Sequence, residues 1–250
     1  MDFPGKEPSS LFKGFVEEYS HILDVRVKFK RMEAHSVKRF QKAKLGLCEL
    51  DERAGVLKIF INTTILAADK FPSNSNEAIA AHEILHLWLI RNGFPVLERV
   101  PGLPADSPKN DIGARLHCMI HHIVIDSKLE ELGFNVESVN FWHGKFYLNR
   151  IREADLSGYF PGDYVFVNEV LEYSEGSLRY NPDDMQEVRK ILVKTNRRIL
   201  FVGERCIEII EKTDCTKPPD ALTAMINISS KLGIKERGIR FLDTASGKVY

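Results

Sequence analysis

The residues from Glu77 to Gly93 read EAIAAHEILHLWLIRNG, and this stretch is the clearest helical element of the chain. A helix cap precedes it, because Asn74 to Glu77 place Asn and Ser before a glutamate, as in a capping box. Apolar residues recur at helical spacing as far as Arg91, and Asn92–Gly93 supplies a left-handed stop. The sequence therefore predicts a helix over residues 77–91.

The same helix carries His82, Glu83 and His86, which form the pattern HExxH. Residues four apart share one face of a helix, so His82 and His86 can bind one metal ion together. Glu83 is rotated about 100° from His82. From there its carboxylate can reach a metal-bound water and act as general base. Unsatisfied polar groups are costly among apolar neighbours, so we expect a metal site here. The alternative is a set of core polar residues satisfied by protein partners.

A second helix is predicted from about Pro108 to Leu132, after a proline-rich loop. A catalytic zinc usually takes three protein ligands and keeps one position open, so this helix should supply the third ligand. His117 and His121 are four residues apart and share one face of the helix. His122 and Asp126 are also four apart, and their face is rotated from the first by about 100° or more, so only one of the two pairs can point at the metal. Spacing alone leaves the choice open among His117, His121, His122 and Asp126.

This order of strand, HExxH helix, loop and second helix resembles the zincin superfamily of zinc-dependent metallopeptidases, over roughly residues 44–135. In the thermolysin-like branch, the gluzincins, the second helix carries a zinc ligand followed four residues later by an aspartate. That aspartate hydrogen-bonds a zinc-ligating histidine. His122 and Asp126 match this spacing, although His122 stands where a glutamate is expected. The metzincin pattern, in which a third histidine soon follows a glycine, is absent from the sequence.

The resemblance implies one zinc ion per chain, bound by His82, His86 and His122, with Glu83 as the catalytic base. Asp126 would then orient one of the two HExxH histidines. Asp126 and His121 remain the alternative third ligands. An oxyanion stabiliser is also expected opposite the metal. The sequence does not choose it, and the candidates are Arg115, His143, Tyr147, Tyr159 and Tyr164.

The predicted fold is α+β and zincin-like, with a small antiparallel sheet packed on the HExxH helix and on the second, ligand-bearing helix. Residues 1–135 would form the metal-binding catalytic core, and residues 136–250 a helical region packed on it, although one single domain also fits. The strand over 56–62 is either the edge strand that pairs with substrate in zincins or a plain core strand. The remaining predicted elements are a helix over 10–23, strands over 25–29 and 44–50, and helices over 163–173, 181–212 and 221–232.

The composition is that of a folded globular protein. The chain has 250 residues and 44% apolar residues, and its 35 basic and 35 acidic residues give a formal net charge of zero. These values exclude general disorder and argue against a nucleic-acid partner. The aromatic cluster over 141–147 could stack on bases, but we favour a packing role. The four cysteines form no CxxC pair, and neither a membrane span nor a signal peptide is visible. We therefore expect a cytoplasmic protein.

These observations together predict a zinc-dependent hydrolase, most plausibly a metallopeptidase acting on a peptide or protein through a glutamate-activated water. One alternative is a regulatory or protein-binding protein that keeps the zincin scaffold and metal with little or no general protease activity. Another is hydrolysis of a different bond, because a glutamate beside zinc does not itself name the scissile bond.

Overall fold

The computed structural model describes residues 3–4, 7–32, 45–68, 72, 74–98, 102, 107–234 and 238–250. The chain forms two compact units. The first comprises Met1–Arg91 with Ile125–Val139, and the second comprises Asn92–Val124 with Asn140–Tyr250. The segment Asn92–Val124 thus groups with the C-terminal residues, whereas the sequence placed it in the first region.

The first unit combines helices with a small three-stranded sheet, as the α+β prediction requires. Its strands are ordered β1-β3-β2. The β2–β3 pair is antiparallel, with Cys48 opposite Ile59, but β1 runs parallel to β3, with Arg26 opposite Val56. The prediction of an antiparallel sheet is therefore wrong for one of the two pairings. The elements are α1 (Ser10–Ile22), β1 (Arg26–Arg31), β2 (Gly46–Asp51), β3 (Val56–Ile61), α2 (Thr63–Ala68) and α3 (Ser75–Arg91).

Strand β3 is the central strand and not the edge strand that the sequence suggested. Its apolar side chains decide this position, because Leu57, Ile59 and Ile61 are all buried at its centre. Within the described residues, β2 occupies one edge of the sheet. Helix α3 packs on both β2 and β3, so the HExxH helix lies directly against the sheet.

Helix α1 is tied to the start of α3 through a buried carboxylate. Ser9 is the N-cap of α1, and its Oγ accepts a hydrogen bond from the Phe12 amide at 3.2 Å. Glu77 Oε1 accepts from the Ser9 amide at 2.8 Å, and Glu77 Oε2 accepts from Ser9 Oγ at 2.6 Å. The sequence suggested that Glu77 caps its own helix, whereas its side chain completes the cap of α1.

The second unit is almost entirely helical, which confirms the prediction of a mostly helical C-terminal half. A short antiparallel pair joins β4 to β5, with Leu97 opposite Phe241. The sequence did not predict this pair. The elements are α4 (Pro108–Glu131, which continues into the first unit), β4 (Val96–Glu98), α5 (Glu137–Glu153), α6 (Tyr164–Arg179), α7 (Pro182–Thr195), α8 (Arg197–Glu211), α9 (Pro218–Lys231) and β5 (Arg240–Leu242).

Two helical predictions in this unit need correction. Helix α5 was not predicted, because its aromatic cluster obscured the helical period. The single run over 181–212 is two helices, broken at Asn196, which leaves the helical region with φ −154°. The Asn196 side chain is buried, and its Nδ2 donates to Leu156 O and Tyr159 O, both at 2.9 Å. These two bonds stabilise the break.

No described helix is both long enough and apolar enough to span a membrane.

Candidate metal centre

The two HExxH histidines lie one turn apart on α3 with their rings in a T-shaped arrangement. Their Nε2 atoms are 3.1 Å apart, and the ring planes cross at 77°. Two imidazole nitrogens that bind one tetrahedral zinc at about 2.0–2.1 Å lie roughly 3.3 Å from each other. The spacing of His82 and His86 therefore suits a shared metal ion. The helix that carries them is anchored by fully buried side chains at Ile84, Leu85 and Leu89.

Glu83 lies beside this pair, where β2 approaches α3. A Cβ added to Gly46, the first residue of β2, would come within 2.9 Å of Glu83 Oε1 and 2.8 Å of Ile79 Cγ2. Real Cβ contacts essentially never approach so closely. Because Gly46 has no side chain, the Glu83 carboxylate can occupy this space, and β2 can approach α3 closely at this point.

The Gly46→Ala variant should therefore disturb the Glu83 carboxylate without removing a histidine. The added methyl group must displace Glu83 or Ile79, at an overpacking cost of about 1–3 kcal/mol in the free energy of unfolding. We expect a lower melting temperature and a lower hydrolytic rate, with zinc stoichiometry unchanged. A matched control is Gly14→Ala, because Gly14 lies in α1 with open space around its Cβ position. Wild-type stability and rate in Gly46→Ala would contradict this account.

His122 reaches the same pair from α4. This helix is shared by both units, and its residues from Ile125 onward belong to the unit that holds α3. His122 lies about one turn before them. Single ligand atoms of His82, His86 and His122 all lie within 4.8 Å of one another, and each residue is half-buried. Among the described residues, this group of three could hold a metal ion.

The His122 ring also contacts a charged pair on α6. Its Nδ1 lies 2.6 Å from Glu175 Oε1 and 2.8 Å from the Arg179 guanidinium. Burial lowers the pKa of His122 well below its usual value, and the positive charges of Arg179 and His143 lower it further. His122 is therefore neutral at pH 7, which is the state in which an imidazole binds a metal.

His117 and His121 point to a different environment. His121 is fully buried, and its Nε2 lies 3.0 Å from Pro95 O, while its Nδ1 lies 3.1 Å from His117 Nε2. Both ring nitrogens of His121 thus have protein partners, as in an ordinary packed histidine. Burial lowers the pKa of His117 to about 4.

This depressed pKa predicts that the metal-free protein loses stability as the pH falls. In the unfolded chain a histidine takes up a proton near pH 6.5, whereas His117 in the folded protein does so only near pH 4. The unfolded state therefore binds more protons between these values, and the free energy of unfolding decreases from about pH 6.5 to about pH 4.

Urea unfolding at pH 7 and pH 5 measures this effect above the range in which most carboxylates titrate. The decrease should be smaller in His117→Gln than in the wild type. An equal decrease in both proteins would show that other groups carry the pH dependence.

The remaining predicted residues are placed as follows. Asp126 is buried on α4, and its role in orienting a ligand stays a prediction. Arg115 forms an ion pair with Glu172 of α6. Tyr147 is fully buried, and burial raises the pKa of its hydroxyl well above the usual value. The other oxyanion candidates lie in α5 (His143, stacked on Tyr180), in the loop before α6 (Tyr159) and at the start of α6 (Tyr164).

Glu175 and Arg179 are the residues at this site that sequence reasoning missed. They lie four residues apart on α6, and Glu–Arg pairs at this spacing are common on helices. The spacing therefore does not indicate a metal site. Their burial is unusual, with 6% and 5% of the two side chains exposed, respectively. An aromatic-rich helix beside them, α5, supplies Asn140, whose Oδ1 accepts from Arg179 at 3.2 Å.

Comparison of the chain with family models, with curated proteins and with solved structures finds no match. The resemblance to zincins therefore rests on the HExxH pattern and the order of the helices.

Proposed function

We propose that this protein is a zinc-dependent hydrolase of zincin type, and that its substrate is a peptide or protein. One observation carries the proposal: ligand atoms of His82, His86 and His122 lie close together, and Glu83 directly follows His82 in the sequence. Imidazole nitrogens suit zinc, and the HExxH pattern on a helix favours it over other divalent ions.

The number of protein ligands supports a catalytic site over a purely structural one. Structural zinc sites are usually closed by four protein ligands, whereas catalytic sites use three and leave a position for water or substrate. The group found among the described residues has three members, all histidines. Three neutral ligands also leave the ion's positive charge undiminished, which suits the activation of a water molecule.

When bound, zinc would polarise the scissile carbonyl and lower the pKa of a water molecule. The residues of this chain then supply the proton transfers. The Glu83 carboxylate accepts the proton of the attacking water and donates it to the leaving amine as the carbon–nitrogen bond breaks. His82, His86 and His122 would hold the ion through ring nitrogens.

A peptide substrate is favoured by the edge position of β2. Extended peptides bind exposed sheet edges by adding a strand, because the edge offers unpaired backbone donors and acceptors. Among the described strands β2 is an edge strand, and it begins at Gly46, against the Glu83 carboxylate. A peptide paired with β2 would run past the catalytic base. The sequence suggested β3 as the strand that pairs with substrate, and we now propose β2 for this role.

The first test is the metal content of protein purified without a metal-affinity tag, followed by incubation with a peptide library read by mass spectrometry. We expect about one zinc per chain and cleavage that stops when a chelator is added. A protein that takes up no zinc after zinc is supplied would overturn the proposal. Full zinc occupancy without cleavage of any peptide would favour the protein-binding alternative.

A further inference from the structure

Two charged residues of α6 contact Nδ1 of the His122 ring, which leaves Nε2 as the nitrogen that could face a metal ion. Glu175 Oε1 lies 2.6 Å from His122 Nδ1, and Arg179 forms an ion pair with Glu175. Arg179 is held in turn by Asn140 of α5 at 3.2 Å. Both charged side chains are about 95% buried, so their positions are fixed by packing as well as by these bonds.

A buried carboxylate at this place has a specific effect on the imidazole. A neutral histidine carries one proton, on either Nδ1 or Nε2, and the partner of one nitrogen decides where that proton sits. If Nδ1–H donates to Glu175, Nε2 keeps its lone pair and can bind a metal. Metal-binding histidines commonly donate their second nitrogen to a carboxylate, which also orients the ring and raises its basicity.

Arg179 allows a competing arrangement, because its guanidinium lies 2.8 Å from the same Nδ1. If Arg179 donated to Nδ1, the imidazole proton would sit on Nε2 and His122 could not bind a metal through that atom. The carboxylate is the better partner for two reasons. Glu175 Oε1 is closer to Nδ1, at 2.6 Å, and at that distance an unprotonated Nδ1 would set its lone pair against those of the carboxylate oxygen. Arg179 already donates to Glu175 and to Asn140.

We propose that Glu175 is a positioning residue for the metal: it accepts the Nδ1 proton of His122 and so presents the Nε2 lone pair to the ion, while Arg179 holds the carboxylate in place. The proposal rests on the proposed function, since it concerns the same site. It assigns to α6 the role of orienting the third ligand, and Asp126 is not required for that ligand.

Arg179 supplies the opposite charge that a buried carboxylate needs. Burying a charged group is costly unless it is paired and hydrogen-bonded, and Glu175 is paired with Arg179. His122 of α4, Glu175 and Arg179 of α6, and Asn140 of α5 therefore form one continuous series of contacts.

The test measures zinc affinity by competition with a fluorescent chelator in the wild type and in two variants. Glu175→Gln keeps an acceptor oxygen but loses the charge, and we expect about tenfold weaker zinc binding. Glu175→Ala loses both, and we expect about hundredfold weaker binding. The matched control is Glu172→Gln, because Glu172 lies one turn earlier on α6 and pairs with Arg115. That variant should bind zinc as the wild type does.

A second readout requires neither zinc nor a Glu175 variant that folds. Nitrogen-15 NMR of the metal-free wild-type protein reports which imidazole nitrogen of His122 carries the proton, with the resonances assigned by their loss in His122→Gln. We expect the proton on Nδ1. A proton on Nε2, or zinc affinity in Glu175→Gln and Glu175→Ala equal to that of the wild type, would overturn the proposal.

These outcomes are separable from failure of the proposed function. Wild-type protein that binds no zinc refutes the zinc hydrolase, and the NMR result still decides the tautomer. Wild-type protein that binds zinc, with affinity unchanged by either Glu175 substitution, refutes the positioning role alone.

Discussion

Zinc should be lost almost completely when His122 is replaced by alanine. Residues that merely orient a ligand contribute about 10–100-fold to metal affinity, so removal of a ligand itself should weaken zinc binding by more than about 100-fold. His122 is the α4 member of the histidine group, and its ring nitrogen has no substitute in alanine. Elemental analysis should give about one zinc per chain in the wild type and less than about one-tenth in the variant.

The neighbouring histidine provides a matched control for this experiment. His121 is fully buried and contacts Pro95 O and His117 through its two ring nitrogens. His121→Ala should therefore lower the melting temperature through lost packing and leave zinc content near one per chain. If His122→Ala retained its zinc and His121→Ala lost it, the third ligand would be His121. Retention in both variants would move the third ligand to Asp126.

The second large effect is expected from Glu83→Gln, which keeps the size of the side chain and removes its ability to take up a proton. General base catalysis contributes about 10²–10⁴-fold, so kcat/KM for a cleavable peptide should fall by that factor. Zinc content should not change, because Glu83 is not a member of the ligand group. Loss of rate with retained metal is the result that distinguishes a base from a ligand.

Glu77→Gln is the control for a buried carboxylate on the same helix. Glu77 hydrogen-bonds Ser9 at the start of α1, so its replacement should reduce stability by weakening that contact and should leave kcat/KM near the wild-type value. Equal rates in Glu83→Gln and the wild type would show that Glu83 is not the base, even with zinc in place.

The helices that carry the site were predictable because their signals are local. The HExxH helix was predicted over 77–91 and spans Ser75–Arg91, and α4 was predicted to end near Leu132 and ends at Glu131. Gly93 and Gly133, the expected stops, both have positive φ, at 85° and 86°. A cap, a helical period and a glycine stop are all contained in a few neighbouring residues.

The features that were missed depend on partners distant in sequence. The apolar alternation of β1 predicts a strand but does not name its neighbour, and β1 pairs in parallel with β3. Glu175 lies 53 positions from His122, and nothing in its local sequence separates it from an exposed helical glutamate. Its burial against α4 gives it its role, and burial of a polar residue follows from tertiary packing that no short window of sequence contains.

The cap of α1 makes the stability of that helix depend on a second helix, α3. Ser9 is closed by a carboxylate 68 positions away, so the first turn of α1 gains its last partners only when α3 docks. Isolated helices of this length, 13 residues, are marginal in water. Helix α1 therefore depends on α3 for the closure of its N-terminal cap, and a substitution that displaces the start of α3 should weaken α1 as well.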